Sequence, residues 1–199
     1  WRISTRFSVN VGVRYDYSTP ISELYNRLVN LDVAPGFLSI APVIAGQAGP
    51  YAGSLPNSLV RPDRNNFSPR VGFAWRPAVK HSTVVRGGFG IYYNTSVYNQ
   101  IANNMAQQPP FAQTLSIAAT PDNPLTIENG FLAAPNSSYL NTYAIDPNYR
   151  IGYSQVWNLS VQQDLKAGLV ATMTLLRTKG TRLDQQYLPN STPPGTPVT

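Results

Sequence analysis

The sequence predicts an all-β fold: an antiparallel up-and-down meander of about five strands from a large transmembrane outer-membrane β-barrel, with long extracellular loops and short periplasmic turns. Three observations predict it. Several segments alternate apolar and polar residues with a period of two, as strand side chains do when they point to opposite faces. The connections between these segments run long, short, long, short, long. The middle of the apolar lists holds Val9, Val11, Phe73, Phe89 and Leu159 and no charge.

The first strand is read over residues 1–17. In RFSVNVGVRYDY, Phe7, Val9, Val11, Val13, Tyr15 and Tyr17 share one face, and Arg6, Ser8, Asn10, Gly12, Arg14 and Asp16 share the other. Trp1, Ile3 and Thr5 extend the first list. The length exceeds the roughly 9–11 residues that a tilted strand needs to cross a bilayer. Residues 18–66 read as a long loop rich in Pro, Gly, Ala and Ser. Its start, STPISELYNRLVN, fits a short helix with Thr19 as cap, Pro20 at the first position, and Ile21, Leu24, Tyr25 and Leu28 on one face.

The second strand is expected over 67–76 and the third over 83–94, joined by the short turn PAVKHS into a hairpin. Phe67, Val71, Phe73 and Trp75 pair with Val85, Phe89, Ile91 and Tyr93 as one face. Pro69 removes one ladder donor early in the second strand. In a hairpin centred near Val79, Arg70 faces Gly88 or Gly90, and Arg86 faces Gly72 or Ala74. Large opposite small is ordinary cross-strand packing. Residues 95–150 form a second long loop, full of Asn, Pro, Ala and Gln.

The fourth strand spans 151–165. A helix competes there, since Trp157, Val161 and Leu165 stand at i, i+4 spacing, but the period of two fits more positions. A KAG turn leads to a fifth strand over 169–177, and a third irregular region covers 179–199. Structureless loops beyond about 12–15 residues are uncommon in compact domains. Outer-membrane barrels combine long extracellular loops with short periplasmic turns.

With the short turns periplasmic, Trp1 and Trp75 come near the inner interface, and Tyr15, Tyr17, Phe67, Tyr93 and Tyr153 near the outer one. These form the two aromatic girdles of such barrels, with Trp157 lying deeper. Arg6, Asn10, Arg14, Asp16, Arg70, Arg86 and Asn158 are then lumen-facing. The lumen arginines either pair within the wet wall or meet an acidic plug surface or an anionic solute.

Composition narrows the function classes. Charged residues are 12% of the 199, where soluble domains carry roughly 25%. No run of about 18 apolar residues exists, so no transmembrane helix is expected. The absence of cysteine excludes disulfides, thiolate metal sites and cysteine nucleophiles. The net charge of +6 is scattered singly and forms no patch for nucleic acid. WRISTRFSVN is not a signal peptide. With the proline-rich end STPPGTPVT, it suggests a piece of a longer chain that carries neither signal peptide nor plug.

Catalytic motifs are weak. RGGFG (Arg86–Gly90) continues into IYYN, a strand, whereas a phosphate loop needs a helix after its glycines. His81, the single histidine, sits in a turn beside Lys80 and Ser82 and reads as solvated. No acidic pair stands at metal-ligand spacing with it, and no Ser/His/Asp arrangement can be built around it. The N-x-S/T triplets at Asn94, Asn136, Asn158 and Asn190 have no meaning for glycosylation in a bacterial outer membrane. No enzyme and no cofactor are expected.

The succession NNFSPRVGFAWRP, TVVRGGFGIYYN, YSQVWNLSVQQDL and LRTKGTRL resembles the barrel of TonB-dependent outer-membrane receptors. The resemblance is nearest to the large Oar-like type with an N-terminal carboxypeptidase-regulatory-like domain. It covers most strand positions from Trp1 to about Leu183, and departs at Arg177, where the pattern has a small residue. It implies a barrel of about 22 strands around a plug, driven through a TonB system.

The first reading is therefore a barrel segment of such a transporter, in contact with outer-membrane lipid, a plug and an unidentified solute. If ligand contacts exist here, the loop residues Tyr51, Arg61, Arg64, Tyr139 and Tyr143 are the candidates. A passive porin or adhesin barrel is the second reading. A secreted soluble β-sandwich, with the apolar faces forming a core, is the third.

Overall fold

The structure, a computed structural model, describes residues 1–77, 82–112, 119, 121, 124, 126–128 and 142–187. His81, Asn136, Tyr139 and Asn190 lie outside the described residues, as does the end of the third irregular region. The elements in chain order are β1 (Arg2–Ser4), β2 (Phe7–Tyr15), β3 (Val29–Val33), β4 (Ile40–Ile44), β5 (Ala48–Gly49) and β6 (Gly53–Ser54), followed by β7 (Phe67–Trp75), β8 (Thr83–Tyr93), α1 (Val97–Ala106), β9 (Tyr153–Asp164) and β10 (Val170–Thr181). The chain divides into two compact units. One comprises Trp1–Thr19, Pro62–Val97 and Arg150–Thr199; the other comprises Pro20–Arg61 and Tyr98–Tyr149.

The first unit is a six-stranded antiparallel sheet in the order β1-β2-β7-β8-β9-β10. Its connections alternate as expected. β1–β2, β7–β8 and β9–β10 are joined by short turns, β2–β7 and β8–β9 by long segments. Register locks the apolar lists onto one face. Val11 pairs with Val71, Val71 with Phe89, and Phe89 with Trp157. The parallel row Val9–Phe73–Gly87–Leu159–Leu175 runs beside it. The Phe73 ring lies over Gly87, filling the place of the missing side chain. Arg70 pairs with Gly90, and Arg86 with Ala74, as the large-opposite-small argument requires.

The strand read over 1–17 is in fact two strands. β1 and β2 pair with each other around a turn at Thr5–Arg6, with Trp1 and Val9 exchanging both backbone hydrogen bonds. Ser4 Oγ accepts the Arg6 N–H, a local bond that competes with continued extension. The turn leaves the alternation of Trp1 and Val9 in phase, so the sequence pattern runs through it unbroken. Arg6 consequently belongs to the turn, not to the lumen face of a strand. β10 also runs on to Thr181, four residues past its expected end.

The second unit holds the hydrophobic core. Leu28, Val29, Val43, Ala45, Leu59, Val60, Tyr98, Ile101, Ala102 and Met105 are buried there. The long segments are therefore not structureless. β3 pairs with β4, and β5 with β6. α1 buries Tyr98, Ile101, Ala102 and Met105, the i, i+3, i+4, i+7 face of one helix. The helix expected near Ser18–Asn30 does not form. Glu23 captures the Tyr25 and Arg27 backbone N–H groups, each at 2.8 Å, and Asn26 takes a left-handed φ of 56°. Both interrupt a helix before its second turn.

Two buried amides tie distant parts of this unit together. Asn30 donates to Ile145 O at 2.8 Å and accepts from Ile145 N at 2.9 Å, imitating a backbone bridge. Gln108 donates to Val29 O and accepts from Tyr143 N. Asp32 Oδ2 accepts the Tyr51 and Ala52 N–H groups at 2.8 and 2.9 Å.

Candidate functional site

The polar face of the sheet carries the most distinctive side-chain arrangement of the first unit. Alternation puts Asn10, Gly72, Gly88 and Asn158 in one hydrogen-bonded row, and Gly12, Arg70, Gly90 and Val156 in the next. Of the four glycines in these two rows, Gly12 and Gly72 carry no side chain above them, while the Asn158 amide lies over Gly88 and the Tyr92 ring over Gly90. A half-open recess of about 330 Å³ lies there, with Asn10, Asn158, Arg70 and Tyr92 among its lining. The Arg70 guanidinium sits over the Tyr92 ring at 4.7 Å, a cation–π contact that holds the charge at the recess edge. Arg86 donates to Gln162 Oε1 at 3.2 Å. The open strip at Gly12 and Gly72 can admit another backbone or a planar group close to the wall, with amides and one cation beside it to meet acceptors.

Nearer the long connections, Arg14 Nε donates to Asp16 at 2.6 Å, and Ser68 Oγ donates to the other carboxylate oxygen at 3.1 Å. Asp63 forms a second polar knot. It is buried, and accepts from Arg150 at 2.8 Å, from the Ile151 N–H at 3.1 Å and from the Asn65 N–H at 3.4 Å. Burial pushes this carboxyl up, but the Arg150 side chain, the two N–H donors and the Arg150 charge together outweigh it. They hold Asp63 below the ordinary carboxylate range.

The loop candidates take separate places. Tyr51, Arg61 and Tyr143 belong to the second unit and Arg64 to the first, while Tyr139 lies outside the described residues. Arg61 is committed within its unit, donating to Asn148 at 2.8 Å and to the Ala52 and Ser54 carbonyls. Arg64 lies over the Tyr17 ring at 6.0 Å. Tyr92 was missed in the sequence, although the alternation that places Gly90 on the lumen list places Tyr92 there too.

The opposite face is bare. Val11, Val13, Phe67, Val71, Trp75, Leu159, Met173 and Leu175 are all exposed on it. Soluble monomers rarely leave such a contiguous apolar surface open. A family model described as an outer membrane beta barrel domain matches residues 1–199. The chain belongs to this outer membrane beta-barrel family. It is a protein of the bacterial outer membrane; among the described residues no helix is long and apolar enough to cross a membrane, which says nothing of crossing by strands. No curated protein and no solved structure matches it.

The barrel domain explains an oddity of the bare face. The row Val11–Val71–Phe89–Trp157 ends in Arg177, and Gln155 in the next row pairs with Lys179. Both cations thus share the face of Val9 and Leu175. This face stays free of charge up to the boundary tyrosine Tyr15 on β2, whereas on β10 its first cation, Arg177, shares the row of Val11, two rows or ~14 Å lower. Four strand spacings of ~4.8 Å separate β2 from β10, so the band slopes by roughly 36° against the rows. That is the strand tilt of roughly 35–45° in such barrels. A boundary drawn through Tyr15 and Arg177 at this tilt crosses β9 between Gln155 and Trp157, which leaves Tyr153, expected at the outer interface, beyond it. Two aromatic pairs stand at the long-connection end of the sheet: Tyr15–Phe67 and Tyr93–Tyr153 centroids lie 4.9 and 5.3 Å apart. The Tyr15 hydroxyl donates to Arg64 O at 3.1 Å.

Proposed function

We propose that this barrel domain forms part of the wall of a TonB-dependent transporter, of the Oar-like type, and that it acts without enzymatic chemistry of its own. The observation that carries the reading is the open glycine strip edged by Arg70, Tyr92, Asn10 and Asn158 on the lumen face. A plug seated against a barrel wall needs a surface its backbone can approach, and an arginine there gives an acidic plug group a partner. Among the described residues β1 and β10 each leave one edge without a neighbour, and further strands of a parent chain complete the barrel in this reading. The folded second unit, on the long connections, supplies the surface that first meets the solute.

The test is conductance and uptake by the intact protein. A plugged transporter holds planar bilayers near their baseline conductance, and its uptake requires the inner-membrane energy source. Arg70→Ala weakens plug retention and raises conductance. A steady open-channel conductance from the unaltered protein rejects the transporter and favours a passive porin.

A further inference from the structure

On the lipid-facing side, β10 ends its apolar stretch at Leu175 and then presents Arg177 and Lys179, two residues apart on the same face. No carboxylate stands on that face of β7, β8, β9 or β10; Asp164, the acidic residue of these strands, falls on the other face. The Arg177 guanidinium is held 6.0 Å over the Trp157 ring, and Gln155 pairs across from Lys179. The slope of the apolar band sets Arg177 at the level of Tyr15 on β2 and Lys179 one step further out, where headgroups begin.

We propose that Arg177 and Lys179 form a binding site for a phosphate-bearing anionic lipid headgroup at the outer boundary of the barrel. The planar guanidinium takes two phosphate oxygens, and the ammonium adds a point charge beside it. Trp157 fixes the arginine and packs against the glycerol and upper acyl region. Two free-swinging cations at this depth would serve solubility alone. Here one of them is stacked on a boundary aromatic, next to a strand with no competing anion.

Trp157 provides the readout. In the intact protein carrying Trp1→Phe and Trp75→Phe, the share of the fluorescence that Trp157→Phe removes is quenched by brominated lipids in phosphatidylcholine vesicles. Brominated phosphatidic acid is expected to associate roughly 25-fold more strongly than brominated phosphatidylcholine, at about fivefold for each of the two basic side chains near the surface. Arg177→Gln with Lys179→Gln removes the preference. Arg177→Lys with Lys179→Arg keeps most of it and guards against a folding artefact. Equal quenching by both lipids, or an unchanged preference in the Gln variant, overturns the site. Competition by millimolar inorganic phosphate at constant ionic strength also overturns it, since the site would then serve free phosphate. Absence of quenching by any lipid is a different result, and rejects the lipid-facing assignment of this sheet face.

Discussion

Val11→Arg is the sharpest test of which face meets lipid. Rows on one face repeat every ~6.8 Å along a strand, or ~5.5 Å of depth at the inferred tilt. Val11 lies two rows from Phe7 and two from Tyr15, so it stands ~11 Å from each edge of the apolar band, near its middle. A midplane arginine facing lipid costs about 2–4 kcal/mol. Asn10→Arg, one residue away on the lumen face, is expected to cost less than ~1 kcal/mol, since Gly72 leaves space opposite. Met173→Arg is the companion on β10. It shares a row with Phe7, a boundary residue, yet the slope places it mid-band, so it too costs about 2–4 kcal/mol. Arg177 shares the row of Val11, but the slope lifts it ~11 Å outward, so Arg177→Leu changes stability by less than ~1 kcal/mol. The assay is reversible urea unfolding of the intact protein in phospholipid vesicles, followed by tryptophan emission. Equal costs for Val11→Arg and Asn10→Arg refute the lipid assignment. A gain of 2 kcal/mol or more, roughly the midplane penalty, in Arg177→Leu refutes the slope while leaving the lipid assignment intact.

Arg150→Met leaves the buried Asp63 carboxylate with only backbone donors, and should cost about 1–3 kcal/mol, the lower range because Arg150 is half exposed. Asp63 is held below its ordinary value of 3.8, so its stabilisation is full above that pH and is lost as pH falls through the lowered value. The acid limb of a pH–stability curve should therefore flatten in Arg150→Met. Asn30→Ala removes both bonds to Ile145 and leaves two partly buried backbone groups without that partner, at about 1 kcal/mol each; limited proteolysis should then cut the second unit while the sheet stays protected. Gly168 turns the β9–β10 hairpin at φ 75° with nothing near its absent Cβ, so Gly168→Ala should cost about 1–2 kcal/mol from backbone strain alone, measured by the urea midpoint.

What the sequence determined by itself is the sheet. A period of two is a local property, and it assigned Val9, Phe73 and Leu159 to one face and Asn10, Arg70 and Asn158 to the other before any pairing was known. The hairpin arithmetic that set Arg70 opposite Gly88 or Gly90 and Arg86 opposite Gly72 or Ala74 is equally local, and the observed register takes Gly90 and Ala74. The limits were also local in origin. The turn at Thr5–Arg6 preserves the alternation, so two strands read as one. Glu23 captures the amides that a helix near Leu24 would need, and no propensity scale registers that. The apolar face of α1 was readable at Tyr98, Ile101, Ala102 and Met105, but it is short and lies among asparagines that favour loops. Tertiary structure alone decided the rest. Asn30 and Gln108 find partners more than 30 residues away, which turns two apparent loops into a unit with its own core. The depth of Arg177 and Trp157 follows from strand tilt, a property of six strands together that no single strand contains.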